Sequence, residues 1–210
     1  MPFQVFTFNP FQENTYLLWN SNKEAILFDP GMENSNECNT LVKFLEDNNL
    51  KLTEVLLTHA HIDHILGCDF IFQKFGIKPK LYEKDKTTFS FARQSADMWG
   101  INYTDSPEPI YFSDDEIFEF GDLKLEWRFV PGHAMGHVIF INKAENIAIV
   151  GDTIFRQSIG RTDLPGGNHE QLLNKIKTEI FTLNDSMTLY PGHGPETTVG
   201  YEKANNPFLR

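Results

Sequence analysis

Apolar and polar residues alternate through Phe3-Gln4-Val5-Phe6-Thr7-Phe8, a period that predicts a half-buried strand. Thr15-Tyr16-Leu17-Leu18-Trp19 and Glu24-Ala25-Ile26-Leu27-Phe28 flank Asn20-Ser21-Asn22 and predict a hairpin. The spacing then changes to the helical period. A helix is predicted from Asn36 to Asn48, with Leu41, Val42, Phe44 and Leu45 inward. Glu54-Val55-Leu56-Leu57 reads as a short buried strand, and a second helix runs through Cys68 to Phe75 and stops at Gly76. Ile77 to Tyr82 predicts a further strand. Near the far end, Asn168 reads as an N-cap with Gln171 at the third helical position, opening a helix that turns Leu172, Leu173, Ile176, Ile180 and Phe181 inward. Each half of the chain thus runs from strand-rich sequence into βα units, the order of an α/β fold.

The segment from Asp85 to Pro109 breaks this alternation. It holds Phe89, Phe91, Met98, Trp99 and Tyr103, carries few strand signals, and ends in Ser106-Pro107-Glu108-Pro109. Two readings stand: a helical cap that gives an apolar wall to a site, or an amphipathic helix packed on its own domain.

Composition narrows the class. A chain of 210 residues suits one domain, 1–210, and 40% hydrophobic residues with 19 Phe allow a sizeable core. No run approaches the roughly 18 apolar residues of a membrane span, and Met1-Pro2-Phe3-Gln4 lacks the features of a signal peptide. Cys38 and Cys68 have no framework spacing, so a reducing cytoplasm is the expected compartment. Cys68 follows the histidine run described next, but a small buried helical thiol is its simpler reading. The net charge of −11, from 18 basic and 29 acidic residues, leaves no basic stripe for a nucleic-acid footprint. The expected partner is a small molecule, with neither nucleic acid nor membrane; oligomeric state has no signal.

The chemistry is concentrated where apolar strands end. Thr58-His59-Ala60-His61-Ile62-Asp63-His64 follows Glu54–Leu57 directly. His59 and His61 alternate along an extended segment, leave on the same side, and can share an ion. Asp63 and His64 fall where the chain turns, aimed at a second, adjacent position. Phe129-Val130-Pro131-Gly132-His133, Ile147-Ala148-Ile149-Val150-Gly151-Asp152 and Met187-Thr188-Leu189-Tyr190-Pro191-Gly192-His193 are three more strand ends with a metal-compatible side chain. A lone buried histidine is more often a hydrogen-bonded core residue, and Asp-Thr after a strand is often only a cap. Here five of seven histidines share this placement with two carboxylates in register, which outweighs that reading.

Around this set, Asp29 in Phe28-Asp29-Pro30-Gly31 either orients a ligand histidine or only organises the Pro-Gly turn. His137 is read as a neighbour of the site rather than a ligand, and His169 as structural. Arg161 either pairs with Asp163 to fix the loop after Asp152 or meets an anionic substrate.

These motifs resemble those of the metallo-β-lactamase superfamily of hydrolases. The resemblance implies a four-layer αββα sandwich with two divalent metals at one edge of its sheets. It places His59, His61 and His133 on the first metal, Asp63, His64 and His193 on the second, and Asp152 between both. Zinc is the first choice, with iron or manganese compatible with the same donors. Two such ions about 3.5–4 Å apart generate hydroxide near neutral pH and polarise a carbonyl, with Asp63 and Asp152 as the catalytic carboxylates.

Within the superfamily the chain is similar to short glyoxalase II-type (hydroxyacylglutathione hydrolase-like) enzymes. The strings that carry this are Pro131-Gly132-His133-Ala134-Met135-Gly136-His137, Gly151-Asp152-Thr153-Ile154-Phe155, Ser158 to Gly167, and Pro191-Gly192-His193-Gly194-Pro195-Glu196 with Asn206-Pro207-Phe208-Leu209. The implied reaction is hydrolysis of a thioester such as S-D-lactoylglutathione. Two departures bear on the thiol carrier: no helical C-terminal glutathione-binding domain is expected after His193, and Phe155-Arg156-Gln157 stands where such enzymes carry Lys and Tyr. A persulfide dioxygenase with mononuclear iron shares Gly160-Arg161-Thr162-Asp163, but it needs no second site at Asp63, His64 and His193. A phosphodiesterase or nuclease and a lactonase could use the same donors, and a non-catalytic binding or redox module is a third class.

Overall fold

The computed structural model describes residues 3–114 and 116–210. Six strands form a first sheet in chain order: β1 (Phe3–Phe8), β2 (Glu13–Trp19), β3 (Glu24–Phe28), β4 (Lys51–Leu56), β5 (Pro79–Tyr82) and β6 (Ile110–Phe112). The first three pair antiparallel, as short turns allow. From β3 to β6 the pairing is parallel, and each step needs a helical crossover. Those crossovers are α1 (Ser35–Asp47), then α2 (Ile62–Ile65) with α3 (Cys68–Phe75), then α4 (Lys86–Ser90) with α5 (Ala92–Trp99).

The second sheet holds β7 (Phe118–Phe120), β8 (Leu123–Phe129), β9 (Val138–Asn142) and β10 (Ile147–Gly151). After a small hairpin of β11 (Ile154–Phe155) and β12 (Ser158–Ile159) and the helix α6 (His169–Lys175), β13 (Thr188–Pro191) joins it parallel to β10. β14 (Thr197–Thr198) closes the edge and leads into α7 (Val199–Asn205). The spatial order is β14-β13-β10-β9-β8-β7.

The period-two alternation of these strands makes three cores. Leu17, Ala25, Leu27, Val55 and Leu81 face Leu41, Leu45, Ile65 and Ile71 of the helices. Their neighbours Leu18, Ile26, Phe28, Leu56 and Tyr82 point the other way, onto Leu123, Leu125, Val138, Phe140 and Ile149 of the second sheet. The far face of that sheet, with Ile139, Ile141, Ala148, Val150 and Leu189, lies under Leu172, Ile176, Ile180 and Val199. Helix, sheet, sheet, helix is the αββα sandwich.

The element boundaries follow their local chemistry. Asn34 caps α1 by accepting from the Asn36 and Glu37 amides at 3.0 and 3.1 Å, so that helix begins at Ser35. Gly76 ends α3 at φ +71°, and Asn168 caps α6 by accepting from the Gln171 amide at 3.0 Å. The strand expected from Ile77 starts at Pro79. The irregular segment divides: Phe89 and Tyr103 pack into the first core, whereas Phe91, Met98 and Trp99 stay exposed. Among the described residues, no helix is long and apolar enough to cross a membrane.

Candidate metal centre

The loops that leave β4, β8, β10 and β13 meet at one edge of the two sheets. His59 Nε2 lies 3.1 Å from His61 Nδ1, which lies 2.8 Å from His133 Nε2. The far nitrogens of the outer two rings set their tautomers. The Thr58 hydroxyl donates to Asp29 Oδ2 at 2.6 Å and so accepts from His59 Nδ1–H at 3.0 Å. His133 Nδ1–H donates to the Arg161 carbonyl at 2.8 Å. Both Nε2 lone pairs therefore face His61, which carries at most one proton between them. Burial holds all three imidazoles neutral, with His61 taken down to about 3 by burial and then by His133. Three converging neutral donors are an arrangement that a cation completes.

A second group adjoins the first. His193 Nε2 is 3.1 Å from Asp63 Oδ2, and His64 Nε2 is 3.8 Å from the same oxygen. Asp152 Oδ2 stands 3.5 Å from both His133 Nε2 and His193 Nε2, so this carboxylate touches the two groups. Asp152 Oδ1 and His64 Nε2 lie 3.5 Å apart, and both are buried without a hydrogen-bond partner. Buried polar atoms without a partner, aimed at one point, fit a bound cation. Burial opposes ionisation of Asp63 and Asp152, but the His64 charge and the His193 hydrogen bond hold both low. Burial likewise opposes charge on His64 and His193, yet the carboxylates push both up, His193 to about 10. These His/Asp groups suit a binuclear metal site.

Supporting residues aim the donors. Asp29 takes the Thr58 amide at 2.7 Å and stands 3.1 Å from His64 Nδ1, while His193 Nδ1–H donates to the Phe11 carbonyl at 3.0 Å. Asp29 thus backs the site as well as shaping its turn. His137 accepts from the Asp152 amide at 3.0 Å and stacks on His59 at 4.6 Å, beside the donors and outside them. Arg161 binds both oxygens of Asp163 at 2.8 Å. His169 is exposed near Thr162, and Cys68 is buried in the first core with its thiol pushed up by burial. Two glycines permit this density. Gly151 has φ +47°, with His137 Nε2 2.7 Å from where a Cβ would stand, and a Cβ at Gly192 would overlap Asp152 Oδ1.

Two buried acids escape sequence reasoning. Asp85 accepts from the Ala60 amide at 2.7 Å, the Gly136 amide at 2.8 Å and the Thr88 hydroxyl at 2.7 Å, tying two ligand loops together. Glu13 accepts from the Thr15 hydroxyl at 2.8 Å and sits 3.9 Å behind His64 Nδ1. The one sequence signal for Glu13 is the polar run Glu13-Asn14-Thr15 at the head of an otherwise apolar strand.

A cavity of about 490 Å³ opens onto the centre. Asp63, Asp152 and His193 form part of its floor, and Phe11, Phe91, Met98, Trp99 and Phe155 part of its walls.

Known proteins share this sequence and this fold. The family model described as "Metallo-beta-lactamase superfamily" matches residues 8–193. "Hydroxyacylglutathione hydrolase GloC" of Haemophilus influenzae is 35% identical over 212 residues, covering 100% of this chain and 98% of that protein. The crystal structure of BLEG-1 B3 metallo-beta-lactamase superposes with TM-score 0.90 at 34% identity, covering 99% of each chain. That of TTHA1623 in a di-iron-bound form gives TM-score 0.87 at 32% identity, covering 98% of this chain and all of the other.

Proposed function

This chain belongs to the metallo-β-lactamase superfamily, and from that premise we propose that it is a glyoxalase II-type thioester hydrolase, acting on S-D-lactoylglutathione or a related hydroxyacyl thioester. The coarser class, a metallo-hydrolase with a histidine-rich metal site, rests on the family and on the clustered donors. The observation that carries the proposal is the place of Asp152, with Oδ2 3.5 Å from a histidine of each group. Full-length similarity to a hydroxyacylglutathione hydrolase supports the thioester substrate.

In this reading His59, His61 and His133 would hold one ion and Asp63, His64 and His193 the other, with Asp152 available to both. The donor set accepts zinc, and the di-iron form of a 32% identical protein favours iron equally. Two ions in that place would supply a Lewis acid for the thioester carbonyl and lower the pKa of water. The protein's part is orientation. The backbone of Asp152 is held by its amide donating to His137 at 3.0 Å, which fixes the point from which its carboxylate reaches the two groups. The Asp63 and Asp152 carboxylates line the cavity, where they would orient an attacking water. The leaving group is a thiolate, which departs without a strong acid.

The test is hydrolysis of S-D-lactoylglutathione by metal-loaded protein, followed spectroscopically against a chelated control. Metal-dependent turnover supports the proposal. Absence of turnover by protein verified to hold two ions rejects this substrate. A second reading, opening of a β-lactam ring, draws on the likeness to BLEG-1 and is separated by assaying nitrocefin in parallel.

A further inference from the structure

The cavity wall differs in character from its floor. Phe91, at the junction of α4 and α5, and Met98, near the end of α5, both line the cavity. The opposite face of α5 buries Ala92 and Ala96 in the first core. Trp99 sits edge-on to Phe11, with ring centroids 5.7 Å apart at 87°. Phe91, Met98 and Trp99 remain 42%, 66% and 50% exposed although they border one cavity. An apolar cluster left open beside a reactive centre gains by being covered.

Charge points the same way. Among the described residues that line the cavity, Arg161 is the only lysine or arginine, and Asp163 neutralises it through two 2.8 Å hydrogen bonds. The other ionisable groups there, His61, Asp63, His133, Asp152 and His193, are occupied with one another at the floor. Glutathione would bring two carboxylates and an ammonium, and on the wall only Arg161, already paired with Asp163, carries a charge opposite to a carboxylate. Burying such groups unpaired is costly.

We infer that the α4–α5 wall of Phe91, Met98 and Trp99, with Phe11, receives the thiol arm of the substrate, and that this arm is uncharged and apolar. The inference rests on the thioester reading above and narrows it from a hydroxyacyl thioester of open carrier to one whose carrier is apolar next to the sulfur. Acyl transfer to water is unchanged: the C–S bond breaks, a C–O bond forms, and the thiol leaves.

The experiment compares two D-lactoyl thioesters with the same acyl group, one of glutathione and one of phenylmethanethiol, on metal-loaded protein. The expected kcat/KM is at least about tenfold higher for the phenylmethanethiol ester, the scale of a few methylenes in an apolar pocket. Trp99→Ser and Met98→Ser should raise its KM while leaving kcat nearly unchanged, because the wall binds ground and transition states alike. Circular dichroism and metal content confirm that each variant is folded and loaded. Calorimetric binding of the uncleavable benzyl thioether to the unaltered protein gives a reading independent of any variant, and absence of binding counts against the inference. Equal or better cleavage of the glutathione ester overturns the inference and leaves the hydrolase reading standing. Cleavage of neither ester by protein holding two ions removes the thioester reading and this inference together.

Discussion

Asp29 Oδ2 lies 3.1 Å from His64 Nδ1 and accepts the Thr58 hydroxyl at 2.6 Å. Because Thr58 in turn accepts from His59 Nδ1–H, one carboxylate from the end of β3 orients a histidine of each metal-binding group. Asp29→Asn keeps the volume but offers only one acceptor oxygen and adds an amide that clashes with one of these donors. The expected result is a loss of about 10–100-fold in metal affinity with the fold retained. Metal titration with circular dichroism as control checks it; unchanged affinity would separate Asp29 from the site.

Asp152 and His193 should behave differently on truncation. Asp152→Ala removes the carboxylate that touches both groups, so both ions weaken and turnover is lost. His193→Ala touches only the second group, so one ion should remain per chain. Elemental analysis after gel filtration reads the stoichiometry, and two retained ions in Asp152→Ala would refute its bridging place.

Gly192→Ala should harm the centre without harming the cores. The added methyl would overlap Asp152 Oδ1 and stand 2.7 Å from His64 Cε1. We expect loss of the second ion and of activity, with the unfolding transition of the metal-free protein little changed. Full occupancy in this variant would show that the loop relaxes around a Cβ.

The pH behaviour of the metal-free protein has a definite sign. His61 falls from an ordinary 6.5 to about 3 in the fold, so its neutral form stabilises fully above about 6.5 and that stability is lost as pH falls toward about 3. His193 rises from 6.5 to about 10, so its protonated form stabilises below about 6.5 and is lost as pH rises through about 10. Urea unfolding across this range checks both limbs. The same protons compete with metal. The three-histidine group is already neutral near pH 7, whereas an ion at the second group must displace protons from His64 and His193. Calorimetry in buffers of different ionisation enthalpy should find proton release confined to the second binding event.

Between the sheets, Phe140 stacks edge-on to Phe28 at 5.4 Å and to Phe118 at 5.7 Å. Phe140→Ala should cost about 3–5 kcal/mol, mostly as a cavity that the two sheets cannot close. Denaturant unfolding measures the loss, and the metal stoichiometry of the folded fraction should stay the same.

Much of this molecule is determined locally. Alternation sets which strand residues face which layer, and Asn34, Gly76 and Asn168 set helix ends, because a cap or a left-handed turn depends on a few adjacent residues. His59, His61, Asp63, His64, His133, Asp152 and His193 stand out because each follows an apolar strand, and strand ends are where a layered fold gathers side chains. What the sequence alone could not decide is set by pairs distant along the chain. His193 is oriented by the carbonyl of Phe11, 182 positions away, and Asp85 joins loops 25 and 51 positions off. Asp29 is ambiguous in sequence for the same reason, since a Pro-Gly turn and a buried carboxylate look alike until His64 and Thr58 come near. In the α4–α5 segment the period cannot tell a core-facing aromatic from a cavity-facing one, and only packing sends Phe89 inward and leaves Trp99 at the cavity. Local propensity chooses the elements and exposes the donors; burial and the approach of distant polar groups choose which lone pairs face one another.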